Sequence, residues 1–181
     1  MGPSIVRQGP SILIVGLGNE LLSDDGVGIR VLRELRERLP ADDIAFEELS
    51  VSGLQLLDRL VGYRCCILVD AVVTGECPAG TLHRFVQEPG RASMRLSSSH
   101  HVDLSQVLAL GKMLGATIPE KVVVYGIEPE DTTTFCEQCT REVSKAIPRL
   151  VDLICRDIEN ETALSRSRSA ECQTVDRIAT D

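Results

Sequence analysis

The chain has 181 residues, 43% of them hydrophobic, which suits one domain with a sizeable buried core. A net charge of −8 excludes recognition of nucleic acid or of an anionic membrane through a basic surface. Aromatics are only 3% and Trp is absent, so the core must be built from Val, Leu and Ile, while seven cysteines without regular spacing fit a reducing compartment.

No stretch approaches the ~20 apolar residues of a membrane span. Met1–Pro10 lacks the apolar centre of a signal peptide. Gly2 suggests N-terminal acylation, but Val6 stands where that motif takes Ser or Thr. A cytoplasmic location is the expectation. Residues 1–10 read as a flexible N-terminus, 11–159 as a single α/β domain, and 160–181 as a polar, disordered tail.

Ser11–Val15 is a short β-branched run and predicts a buried first strand. A turn-rich segment, Gly16–Gly28, leads into a helix reaching about Leu39, with Val27, Val31, Leu32, Leu35 and Leu39 as its apolar stripe. Ile44–Leu49 reads as a second strand, and Leu54–Val61 as a short helix. Cys65–Val69 is a third strand ending at Asp70. Gly75–Gly80 is a turn, Thr81–Val86 a fourth strand and Arg91–Ser99 a polar loop. A helix runs from about Asp103, as N-cap, to Leu114. Lys121–Tyr125 is a fifth strand. A last helix spans roughly Phe135–Ile158, with Pro148 expected to kink or divide it.

Strands alternating with helices imply a three-layer α/β/α domain around a five-stranded, mostly parallel sheet. The fourth strand follows the third without a helix between them, so it is expected to run antiparallel. In such sheets ligands bind beyond the carboxyl ends of the strands, which makes the strand-end loops the place to look for chemistry.

Gly16-Leu17-Gly18 suggests a dinucleotide fingerprint, but Leu21 stands where the third glycine is required. The same loop carries Asp24 and Asp25. Ser23 or Asp24 suffices to cap the following helix, which leaves a spare carboxylate at the strand end. Asp70 follows the third strand and faces the same crevice. Of three histidines, His100 and His101 are adjacent ahead of a helix, and one of them is available to the site; His83 lies within a strand and reads as structural. Asp25, Asp70 and one of the paired histidines thus come from separate connections. Two oxygens and a nitrogen suit a borderline divalent metal with open positions. Neither H-E-x-x-H nor G-x-S-x-G is present. Cys136-Glu137-Gln138-Cys139 is a C-x-x-C pair without the further soft ligands of a zinc site, and it reads as incidental.

These motifs together resemble the nickel-iron hydrogenase maturation proteases. The resemblance is carried by GLGNELLSDDGVG at Gly16–Gly28, ILVDAV at Ile67–Val72, PAGTLHRF at Pro78–Phe85, SSHHVDLSQVL at Ser98–Leu108 and VVYGIEPED at Val123–Asp131. It implies an endopeptidase that removes the C-terminal extension of a hydrogenase large-subunit precursor after nickel insertion. The family's metal-contacting positions fall on Asp25, Asp70 and His100, with His100 chosen over His101 by its spacing to Leu104 and Leu108. The nickel would be carried by the substrate rather than held permanently, with cadmium or zinc as other ions the site accepts. The implied partner is the precursor, with no nucleic acid or membrane, and the enzyme is expected to act as a monomer. The rival reading is a nickel-binding assembly chaperone that does not cut.

Overall fold

The structure, a computed structural model, describes residues 10–40, 42–50, 54–87 and 104–175. In chain order it contains β1 (Ile12–Leu17), a 3-10 turn (Ser23–Gly26), α1 (Val27–Arg38), β2 (Ile44–Leu49) and α2 (Leu54–Leu60). There follow β3 (Cys65–Ala71), β4 (Leu82–Gln87), α3 (Leu104–Met113), β5 (Lys121–Ile127) and α4 (Arg141–Val175). The strands form one five-stranded sheet in the order β2-β1-β3-β5-β4. All neighbours are parallel except β4, which pairs antiparallel with β5 as its direct connection from β3 requires.

The central strands are apolar on both faces because both faces are covered. Alternate residues Ile12, Ile14, Ile67, Val69, Val123 and Tyr125 pack against α1 and α4. The intervening residues Leu13, Val15, Cys66, Leu68, Val122 and Val124 pack against α2 and α3. Core helix positions follow the same logic: Val27, Val31, Leu32 and Leu35 on α1 repeat at three- and four-residue spacing and are buried. Burial drives the thiols in this core above their ordinary range, Cys65 to about 11, so they act as apolar packing groups.

Two differences from the sequence reading have clear causes. Asp70 lies inside β3 rather than after it, because its backbone continues the ladder opposite Gly126. The last helix starts at Arg141 rather than Phe135, and it runs unbroken past Pro148 to Val175. The backbone at Cys136 bonds to Leu21 and Ser23, so it is not available to begin a helix there.

One close approach sets the geometry at the carboxyl edge. A Cβ on Gly28 would sit 2.2 Å from the Leu17 carbonyl oxygen and 2.3 Å from that of Val69. Only a bare backbone lets α1 begin directly above the ends of β1 and β3. Gly28→Ala is therefore expected to destabilise the fold by roughly 1–3 kcal/mol through overpacking against backbone. A thermal melt reads this as a drop of several degrees, and an unchanged midpoint would contradict the close approach.

Candidate functional site

Every buried acidic residue among the described residues lies at this carboxyl edge: Asp24, Asp25, Asp70 and Glu128. Their surroundings divide them by task.

Asp24 is fully buried, and its carboxylate is consumed by distant partners. Oδ2 accepts from the amides of Glu130 at 2.9 Å and Asp131 at 3.0 Å, and from Thr140 Oγ1 at 3.0 Å. Oδ1 accepts from the Thr140 amide at 2.7 Å. The backbone reinforces the join, with the Asp24 amide donating to the Asp131 carbonyl. Asp24 therefore does not cap α1, whose N-cap Gly26 receives no side-chain bond. It sits instead at the start of α4, where a negative charge also meets the positive helix end. Asp131 is itself tied into a turn, and hydrogen bonds from Thr134 and Thr133 pull its carboxyl down to about 2.

Asp25 is the neighbouring acid and is 2% exposed. Its Oδ2 accepts the Asn19 amide at 2.9 Å, which folds the loop after β1 back on itself. Gly18 permits that fold with φ +143°, leaving it pressed against the Asp25 carbonyl. Asp70, 3% exposed, belongs to the sheet face covered by α2 and α3, and its Oδ1 accepts the Ala71 amide at 2.8 Å. The 3-10 turn bearing Asp25 packs against β3, so the structure brings these two acids to one region. His100 and His101 lie outside the described residues. Among the described residues, no group of three or more metal-ligating side chains comes together.

Glu128 escaped the sequence reading, although it sits just past β5, where the rule that singled out Asp70 also applies. Its carboxylate accepts the amides of Thr74 at 2.9 Å and Gly75 at 3.0 Å, and the Thr74 hydroxyl at 2.7 Å. His83 Nε2 lies 2.9 Å away, so His83, partly buried in β4, is a partner of this carboxylate. Burial alone would raise the Glu128 carboxyl, but the Thr74 hydroxyl, the two amides and His83 outweigh it and hold it below the usual carboxylate range.

The fold and its edge define an open α/β protein with acid-bearing loops at the strand ends. A family model described as "Hydrogenase maturation protease" matches residues 29–157, which include Asp70 and His100 and begin just past Asp25. The chain is 30% identical over 123 residues to the hydrogenase 2 maturation protease of Escherichia coli, covering 66% of this chain and 73% of that one. The hydrogenase expression/formation protein HupD of Thiocapsa roseopersicina is 27% identical over 174 residues, 94% of this chain and 77% of its own. HoxM of Azotobacter vinelandii is 33% identical over 129 residues, 70% of this chain, and the match spans 61% of HoxM. In fold, the chain is similar to the E. coli hydrogenase maturating endopeptidase HybD, with TM-score 0.69 and 24% identity over 83% of this chain and 93% of that one. The chain belongs to the hydrogenase maturation protease family. No described helix is long and apolar enough to cross a membrane.

Two expectations separate the structural acids from the others. Asp24→Ala strands three amides and a hydroxyl that now bond to a buried carboxylate, and is expected to cost roughly 3 kcal/mol or more in urea unfolding, as for lost bonds to a charged acceptor. A cost below about 1 kcal/mol, the value of a neutral surface bond, would remove Asp24 from this role. Glu128 has a carboxyl value lowered by folding, so its contribution is complete above the ordinary Glu range and is lost as pH falls through the depressed native value. Glu128→Gln should therefore lower stability at neutral pH and flatten the acid limb of a stability–pH curve. A variant curve parallel to that of the parent would show that Glu128 is not the titrating group.

Proposed function

We propose that this chain is an endopeptidase that cuts the C-terminal extension from a nickel-iron hydrogenase large-subunit precursor after nickel has been inserted. The observation that supports the reading is the meeting of Asp25 and Asp70 at one sheet edge in a member of this family. In this reading Asp25, Asp70 and His100 contact the nickel carried by the substrate. Two carboxylates and an imidazole offer hard and borderline donors to such an ion.

His100 is four residues ahead of Leu104, the first described residue of α3. The end of α3 leads into the start of β5, so α3 begins at the opposite, carboxyl side of the sheet, where Asp70 lies. The start of α3 on that side supports a reading in which the segment before it contributes to the site.

The metal is part of what is recognised. Nickel bound in the precursor anchors the peptide beside the acids and polarises the scissile carbonyl or a water. Asp25 or Asp70 is the proton acceptor for the attacking water. A precursor without nickel lacks the ligand that the three residues read.

Purified precursor with and without nickel, incubated with the same enzyme, tests the reading. The nickel-loaded precursor should be shortened and the nickel-free one left whole. Asp25→Asn, Asp70→Asn and His100→Ala should each abolish cleavage, while His101→Ala retains most of it. Cleavage of the nickel-free precursor would refute metal recognition. Binding of the loaded precursor without any cleavage would instead favour a non-proteolytic assembly chaperone.

A further inference from the structure

The C-x-x-C pair, read from sequence as incidental, is built into the loop that carries Asp25. Ser23 lies two residues before Asp25, and among the described residues it is the one non-glycine with positive φ, at 45°. An L residue in that conformation is strained and must be held by its surroundings. Its holders are the residues of the C-x-x-C segment. The Ser23 amide donates to the Cys136 carbonyl at 2.8 Å. Its hydroxyl donates to the Gln138 carbonyl at 3.3 Å. Its carbonyl accepts the Cys139 thiol at 3.7 Å. All three polar groups of the strained residue are thus clasped by Cys136–Cys139.

The segment also has the shape and exposure of a reactive pair. The chain bends at Glu137 and Gln138, and the Gln138 amide folds back to Cys136 Sγ at 3.4 Å. Cys136 is exposed and Cys139 is partly buried, the arrangement of an attacking and a resolving thiol. Both cysteines are free in the structure.

We propose that Cys136 and Cys139 form a dithiol–disulfide site for low-molecular-weight disulfides, and that oxidation there resets the backbone at Ser23 and so the loop bearing Asp25. The Cys136 thiolate attacks one sulfur of the small disulfide, forms a mixed disulfide and releases one small thiolate. Cys139, its proton lost to solvent, attacks the Cys136 sulfur, breaks the mixed bond and releases the second. The two released thiolates take up the two protons, and two electrons pass from the protein to the small disulfide.

Burial pushes the Cys139 thiol up to about 11, with the Arg30 cation beside it pulling the other way, so ring closure is the slower step at neutral pH and speeds up as pH rises. The bridged Cys139 sulfur carries no hydrogen to donate to the Ser23 carbonyl. Cys136 Sγ must also turn from the Gln138 amide toward its new partner. The strained residue loses part of its clasp, and the amides that depend on it loosen.

The site stands apart from the proposed proteolysis; only its consequence for cleavage rests on that reading. The full-length protein is equilibrated in glutathione buffers from fully reduced to fully oxidised. Peptide mapping by mass spectrometry should find a bridge between Cys136 and Cys139, reversed by dithiothreitol. Hydrogen exchange at the amides of Leu22, Ser23, Asp24 and Asp25 should be several-fold faster in the oxidised protein. Cys136→Ser should keep the reduced-state exchange pattern in every buffer, and the comparison of oxidised with reduced parent protein needs no variant. A bridge that never forms, one made to Cys77 instead, or one that leaves exchange at these amides unchanged would each overturn the proposal. Precursor cleavage is measured in parallel. Failure of both redox forms to cut would count against the proteolytic reading, while the exchange data still decide the dithiol site.

Discussion

The carboxyl edge of this fold depends on one buried carboxylate. Asp24 joins the loop after β1 to the segment after β5 and to the first residue before α4, through four hydrogen bonds from Glu130, Asp131 and Thr140. A buried charge without such partners would cost several kcal/mol. With them, the charge becomes a rigid corner on which three chain segments are hung. The next residue, Asp25, inherits a fixed position from that corner.

A second corner sits across the edge. Glu128 gathers the Thr74 and Gly75 amides, the Thr74 hydroxyl and His83, and so fastens the connection that leaves β3 just after Asp70. The two corners share a logic. Each uses backbone amides from a distant segment to stabilise a carboxylate that the hydrophobic layers alone would exclude. Between them lie Asp25 and Asp70, each oriented by a local amide, from Asn19 and Ala71. The loops on both sides of the candidate site are therefore held by acids.

Much of this fold was legible in the sequence because its signals are local. Runs such as Lys121–Ile127 and Cys65–Ala71 are apolar enough to read as doubly covered strands, and the missing helix between β3 and β4 gave the antiparallel direction. The place of Asp25 and Asp70 at the carboxyl edge was legible as well, from acids at strand ends. Which of Asp24 and Asp25 is structural was not, because the bonds that decide it span more than one hundred positions of chain. The same holds for Phe135–Thr140. Its sequence is compatible with a helix start, but Cys136 spends its backbone groups on Leu21 and Ser23. Glu128 was not legible for the same reason, since the amides it accepts lie more than fifty positions away, at Thr74 and Gly75. His100 and His101 lie outside the described residues, so the histidine of the candidate site rests on sequence alone.

The concentration of acids at one edge sets what that edge can attract. Asp24 and Glu128 are charge-compensated by several donors each, and those donors are neutral amides and hydroxyls apart from His83. Amides orient toward a carboxylate and lower the energy of its charge, but they do not cancel it at a distance. The edge gathers four buried acids in a chain of net charge −8. In the proposed reading, a peptide segment that brings a divalent cation with it meets these carboxylates, and any attraction grows as water is displaced and the local dielectric falls. Under the proposed function, this is how the edge would distinguish the same segment with and without its metal before any bond is touched. The two fixed corners and the candidate acids occupy the same few residues, so the placement of Asp25 and Asp70 and the cation-bearing partner proposed for them draw on one construction.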